Sequence, residues 1–342
     1  MTKAADESFM RAALAEARRG IGRVSPNPAV GAVLVKGGHI ISSGYHRASG
    51  LPHAEIECLA AGPRAALRSA TLYVTLEPCS TTGRTPPCTD AIVGAGVRRV
   101  VIGATDPNPL HGGRGIGQLK AAGIEVTAGV LVEECSRLNE AFNKWIVTGT
   151  PFVIAKCGMS LDGRLTRPPG ESRWLTSVGS RRHAMELRAQ VDAILIGAET
   201  LRQDNPRLTV RGVTGARQPW RVVLSRSGKV PREAHLFRDR HAERTLIFRD
   251  KTLREVLADL GRREITSVLI EGGGDVLGQA FDRRLVDKVQ FYLAPFLTAG
   301  PVAAVGGKGA GATREGAKLS RTRFEKLGPD LSVTGYPKWN DE

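Results

Sequence analysis

His53-Ala54-Glu55, followed by Pro78-Cys79 and Pro87-Cys88, constrains this chain more tightly than any other feature. One His and two Cys give Zn²⁺ three protein ligands, the number taken by a catalytic zinc site that keeps its fourth position for water. The metal lowers the pKa of that water towards neutrality. Glu55, two residues beyond the His, is placed to shuttle its proton. His-x-Glu alone is a common tripeptide; two Pro-Cys pairs at the end of an expected strand make the pattern specific.

The surrounding periodicity supplies the scaffold. Residues 8–19 read as an amphipathic helix with Phe9, Ala13, Leu14 and Ala17 on one stripe and Gly20 as its stop. Strands over 30–35 and 39–43 flank Gly37-Gly38, a hairpin signal. Helical and extended stretches then alternate: helix 53–61, strand 70–76, helix 89–95, strand 97–102, helix 115–122, strand 124–126. That order predicts a three-layer α/β/α domain. It puts His53 at the start of one helix, Cys79 after a strand and Cys88 at the start of the next helix, where the helix dipole favours a thiolate. Cys58, Cys135 and Cys157 lack such a setting and are expected to be small buried apolar residues.

A helical segment over 132–147 ends at Thr148-Gly149-Thr150-Pro151, which sets the expected domains at 1–148 and 149–342. The second half again alternates, with strands over 193–196, 222–224, 245–248, 268–270 and 289–294, and with 331–336 closing a sheet edge. Residues 299–316, rich in Gly and Ala, are expected to be mobile. Glu271-Gly272-Gly273-Gly274-Asp275 lies between strand 268–270 and an expected helix over 276–285. Glycines there let backbone N–H groups approach a phosphate at a helix N-terminus, although the spacing is not the dinucleotide fingerprint and a plain turn is the other reading. Polar loops at 160–163, 170–177 and 200–211 join it in suggesting one ligand crevice.

The 342 residues carry a net charge of +15, which raises the question of nucleic acid. Residues 1–149 hold 16 Lys+Arg against 12 Asp+Glu, and residues 150–342 hold 33 against 22, mostly as scattered Arg rather than a run or a basic-aromatic stripe. A solvated basic surface, with phosphorylated small ligands contributing, is the expectation; nucleic acid is not. No apolar run approaches a membrane span and the first residues lack a secretory pattern. Five cysteines, an odd count, fit a reducing cytoplasm.

SPNPAVGAVLV, HAEIECL, TLEPCSTTGRTPPCTDAI and TDPNP in the first half, and SLDGR, GESRWLTS, LRAQVDAILIGAETLRQDNPRLTVR and IEGGGDVLGQAF in the second, resemble the bacterial family of bifunctional riboflavin-biosynthesis deaminase–reductases along nearly the whole chain. The long gap from Cys79 to Cys88 is that family's pattern, whereas cytidine and tRNA deaminases usually carry Pro-Cys-x-x-Cys. The resemblance implies a cytidine-deaminase-like domain followed by a dihydrofolate-reductase-like α/β domain. Zn²⁺ would be bound by His53, Cys79 and Cys88, with Glu55 the catalytic proton shuttle. Asn27, His46, Arg84 and Asp106 would hold the phosphoribosylated pyrimidine, which is deaminated to the 5-aminouracil.

In the second domain the resemblance implies NADPH-dependent reduction of the ribosyl chain to ribityl. Gly158, Trp174, Thr200, Asp204, Ser225 and the run Gly273, Gly274, Asp275, Val276, Leu277, Gly278 and Gln279 would contact NADPH. Lys156, Ser172, Arg188, Leu208, Arg211 and Glu271 would contact substrate, the arginines suiting its phosphate. It also implies a homo-oligomer. One residue departs from the pattern: Thr81 stands where the family usually has His, which leaves the zinc ligands untouched and bears on substrate positioning. The competing readings are a deaminase with a non-catalytic C-terminal domain, a nucleic-acid deaminase, and a structural zinc module, which would normally use four protein ligands.

Overall fold

A computed structural model of the chain describes residues 2–82, 86–165 and 174–339. They form two compact units, Met1–Gly149 and Thr150–Glu342. The first comprises α1 (Lys3–Arg18), β1 (Gly31–Lys36), β2 (His39–Tyr45), α2 (Ala54–Ala61), α3 (Arg64–Leu67), β3 (Thr71–Leu76), α4 (Cys88–Ala95), β4 (Arg99–Ala104), α5 (Arg114–Ala121), β5 (Glu125–Ala128), α6 (Val132–Leu138) and α7 (Glu140–Thr148). Its sheet runs β2-β1-β3-β4-β5, antiparallel across the first three strands and parallel thereafter.

Side-chain alternation builds the three layers. Ala32, Leu34, Leu72, Val74, Val100 and Ile102 pack with α2, α4 and α5. Val33, Val35, Tyr73 and Val101 pack with α1 and with Cys135 of α6. Helix α1 starts five residues earlier than its apolar stripe predicts, because the Thr2 hydroxyl accepts from Ala5 N–H at 3.3 Å and caps it. Asp6 then ties α1 to the sheet: it accepts from Arg99 twice at 2.9 Å and from the Tyr73 hydroxyl at 2.7 Å. The helix expected over 132–147 is broken at Asn139, whose φ of −111° leaves the helical region. Its buried amide is bound to Ala29 instead.

The second unit comprises β6 (Phe152–Ser160), α8 (Val178–Gln190), β7 (Ala193–Gly197), α9 (Ala198–Asp204), β8 (Trp220–Ser225), α10 (His235–Arg238), β9 (Thr245–Arg249), α11 (Leu253–Arg262), β10 (Ser267–Ile270), α12 (Gly274–Asp282), β11 (Lys288–Ala294), β12 (Lys318–Leu327) and β13 (Asp330–Lys338). The sheet order is β12-β13-β11-β6-β10-β7-β8-β9, parallel from β11 to β9 and antiparallel at β12 and β13. Val153, Ala155, Cys157, Val268 and Ile270 meet Val256, Leu257 and Leu260 of α11 and Leu277 and Ala280 of α12 in one core.

Two expectations for this unit change. The sheet edge is β12 rather than the 331–336 strand, which lies one place inside it. KLSRTRFEKL exposes polar residues on both faces, so it carries no burial signal. The 299–316 segment is irregular, but its first half is held: Ala303 bridges Arg164, Ala304 is buried, and Gly306 N–H donates to Gly274 O at 2.9 Å.

Candidate active sites

Helix α2 crosses β2 at Gly44, where a side chain would meet the Cys58 backbone nitrogen at 2.5 Å. That close approach sets the N-terminus of α2, with His53 as its N-cap and Glu55 in its first turn, beside the end of β3 and the start of α4. Donor atoms of His53, Cys79 and Cys88 all lie within 4.8 Å of one another. His53 Nδ1 is 3.3 Å from Cys88 Sγ and 3.5 Å from Cys79 Sγ. One imidazole nitrogen and two sulfurs converging on a single point fit Zn²⁺, which takes such ligands at about 2.0–2.3 Å.

Charge in this cluster follows from burial and close contact. Burial pushes the Glu55 carboxyl up to about 7. The hydrogen bond from Cys88, with His53 and the Cys88 N–H behind it, draws Cys79 down to about 4 against the cost of burial. The same bond, together with burial, holds the Cys88 thiol high. The first N–H of α4, the terminus expected to favour a Cys88 thiolate, thus donates to the Cys79 sulfur at 3.3 Å. Cys58, Cys135 and Cys157 are buried, and burial raises them to about 12, 12 and 11.

Asn27 and His46 lie together, Asn27 Nδ2 being 3.1 Å from His46 Nε2, and the His46 ring meets that of His53 edge-on at 5.1 Å. Burial, opposed by a contact to Pro52 O at 3.1 Å, lowers the His46 pKa. Burial raises the Asp106 carboxyl, which caps Asn108 N–H at 2.9 Å. Arg84 lies outside the described residues, and Thr81 is exposed. Two supporting residues went unnoticed in the sequence. Glu77 accepts from the backbone N–H groups of Asp106, Gly113 and Ile116 at 3.1, 2.9 and 3.1 Å, fixing the loop that carries Asp106. Asn139 fixes the strand-entry loop that carries Asn27. The Glu in TLEPC, at the end of a buried strand, was the available signal for the first.

In the second unit a cavity of about 1990 Å³ opens over the carboxyl ends of the parallel strands. Gly158, Trp174, Thr200, Asp204, Ser225, Gly273, Gly274, Asp275, Val276, Leu277 and Gln279 line it, as do Lys156, Arg188, Leu208, Arg211 and Glu271. Gly278 does not line it: a side chain there would collide with the Gly306–Gly307 backbone, and one at Gly274 would collide with Ala303 O. The glycines thus let the 303–307 backbone touch the first turns of α12. The N-terminus of α12 borders the cavity, a setting that suits a dinucleotide's phosphates. Ser172 lies outside the described residues.

Arg188 grips Glu271 through Nε and Nη2 at 2.6 and 2.7 Å and donates from Nη1 to Thr209 O at 3.1 Å. Lys156 Nζ stands 3.7 Å from Glu271 Oε2. Burial opposes ionisation of Glu271, yet the charges of Arg188 and Lys156 hold it down to about 2. Arg211 is exposed and bonds Thr209 Oγ1 at 3.1 Å.

Comparison with known proteins covers both units. The cytidine and deoxycytidylate deaminase zinc-binding region matches residues 3–104, and the RibD C-terminal domain matches residues 151–333. The chain is 42% identical to the riboflavin biosynthesis protein RibD of Synechocystis, covering 98% of each, and 40% identical to that of Escherichia coli, covering 85% of this chain and 88% of the relative. Among solved structures, Acinetobacter baumannii RibD superposes with a TM-score of 0.91 at 33% identity, covering 98% of this chain and 100% of that one. A Thermotoga maritima diaminohydroxyphosphoribosylaminopyrimidine deaminase/5-amino-6-(5-phosphoribosylamino)uracil reductase superposes at 0.88 and 35% identity, covering 98% and 99%.

Proposed function

Since the chain belongs to the RibD family of bifunctional deaminase–reductases of riboflavin biosynthesis, we propose that its first unit deaminates at the His53, Cys79, Cys88 and Glu55 cluster and its second reduces with NADPH in the Glu271 cavity. The observation that carries this reading is the convergence of three zinc-type donors beside one buried carboxylate. The substrate is 2,5-diamino-6-(5-phosphoribosylamino)pyrimidin-4-one and the first product 5-amino-6-(5-phosphoribosylamino)uracil.

His53 Nδ1, Cys79 Sγ and Cys88 Sγ would hold Zn²⁺, which when bound supplies Lewis-acid activation of water. Glu55, with a carboxyl near neutrality, is placed to hold a proton and to pass it to the departing amino nitrogen. Asn27, His46 and Asp106, with Arg84, orient the pyrimidine and its phosphoribosyl tail.

In the second unit NADPH, when bound, would supply hydride for reduction of the sugar carbon attached to nitrogen. The terminus of α12 and the glycine run 273–274 would receive its phosphates, with Gly158, Trp174, Thr200, Asp204 and Ser225 lining the same cavity. Arg188 and Lys156, both paired to Glu271, and Arg211, exposed at the rim, face the substrate, with Leu208 beside them; a substrate contact from Ser172 belongs to the same reading. Domain limits of 1–148 and 149–342, a homo-oligomer, and a cytoplasmic location belong to the same proposal, supported by family membership and, for the last, by five free cysteines. Nucleic acid is not a proposed partner. Among the described residues no helix is long and apolar enough to cross a membrane.

Mass spectrometry of products tests the whole reading. Without cofactor the diaminopyrimidinone phosphate should gain about one mass unit, as amino is exchanged for oxygen; NADPH should add about two more. The first step alone would make the second unit a scaffold, and the absence of both steps would overturn the assignment.

A further inference from the structure

Two side chains of the reductase unit meet at the cavity wall without a part in the scheme above. Tyr292, on β11, stands opposite Gly158 of β6, buried but lining the cavity. Its hydroxyl is 2.8 Å from Nδ1 of His183, a half-buried residue of α8, and the two rings meet edge-on at 5.8 Å. Among the described residues His183 is the hydroxyl's only hydrogen-bond partner. Lys156 Nζ lies 5.9 Å from the centre of the Tyr292 ring, on the side of Glu271.

We propose that Tyr292 donates the proton of the reduction and that His183 resupplies it from solvent, a role that deepens, and rests on, the reductase reading above. Hydride arriving at the sugar carbon of the ring-opened imine pushes the C=N π pair onto nitrogen. A new N–H bond then forms as the Tyr292 O–H breaks, leaving a phenolate. As His183 Nε2 takes a proton from solvent water, its Nδ1–H passes to that oxygen, so the phenol is restored and the imidazole stays neutral. The substrate gains one hydride and one proton; the two electrons come from the reduced nicotinamide, which is oxidised.

The neighbours are poorer donors. Arg188 does not give up its proton, Glu271 is held ionised, and Lys156 is engaged by Glu271. Burial keeps Tyr292 protonated, so it is loaded at any working pH. The Lys156 ammonium over its ring favours the transient phenolate.

The test uses the full chain with 5-amino-6-(5-phosphoribosylamino)uracil and NADPH, and wild-type turnover first checks the reading on which the role depends. Tyr292→Phe should slow the single-turnover reduction by about 10²-fold or more, with NADPH dissociation constant, melting temperature and deamination unchanged. Buffer acids should restore part of the lost rate in Tyr292→Phe and leave wild type unaffected. In the protein without ligands, ¹⁵N NMR should place the His183 proton on Nδ1. A Tyr292→Phe rate within about threefold of wild type (under 1 kcal/mol in the barrier) would overturn the proposal. So would a loss shared with NADPH binding or thermal stability, or a His183 Nδ1 without its proton.

Discussion

Asn139 holds Ala29 by both of its backbone polar groups: Oδ1 accepts the Ala29 N–H at 2.8 Å and Nδ2 donates to the Ala29 carbonyl at 3.0 Å. The pair is buried and spans 110 residues of sequence. It fixes the chain two residues beyond Asn27, at the entry to β1. Asn139→Ala would orphan both groups, a loss of about 1–3 kcal/mol. We expect the deaminase KM to rise severalfold with kcat nearly unchanged and the reductase untouched; steady-state kinetics of the two half-reactions would show it. Equal damage to both would contradict the local role.

Glu55→Gln keeps the shape of the α2 terminus but cannot carry a proton. Deamination should fall by about 10²-fold to 10⁴-fold, while metal analysis still finds one zinc per chain. Loss of the metal together with activity would make Glu55 a ligand rather than a shuttle.

Gly274→Ala drives a methyl group into the Ala303 carbonyl. Either α12 or the 303–306 segment must shift, and NADPH affinity should drop by at least about tenfold, on the order of 1.4 kcal/mol. Fluorescence titration of NADPH measures it, with deamination as the internal control. Gly117→Ala, on α5 with open space around it, should change neither binding nor activity.

Glu271 makes a pH prediction. Its carboxyl is about 2 when folded against an ordinary 4.5, so its pairing contributes fully above 4.5 and is lost as pH falls towards 2. A shift of that size corresponds to about 3 kcal/mol. Denaturant unfolding should show wild type losing this increment between those limits. Glu271→Gln should be less stable at neutral pH, because Arg188 is left buried without its partner, and its stability should fall less steeply below pH 4.5. Parallel curves for the two proteins would refute the assignment.

What the sequence disclosed was local. The proposed zinc donors sit in short motifs whose secondary structure follows from adjacent apolar periodicity, so the cluster of His53, Cys79 and Cys88 was readable before any coordinates. The break at Asn139 was not, because it answers to Ala29, far off in sequence, whereas the 132–147 pattern alone favours one helix. Nor was β12 readable, since its burial pattern has no apolar face. The glycine run after β10 was ambiguous for a related reason. Only the Ala303 to Gly307 backbone, brought against it by the fold, explains why glycine stands at 274 and 278. Tyr292 and His183 carried no motif at all; strand register and the placement of α8 bring them together.

The three cysteines outside the metal cluster are sealed in the core with thiols raised to about 11 or 12, while Cys79 is partly open to solvent. Alkylating reagents act on accessible thiolates, so the native chain offers them a single address. After a chelator, maleimide incorporation at Cys79 becomes a titration of zinc occupancy, and no background cysteine needs to be engineered away to read it.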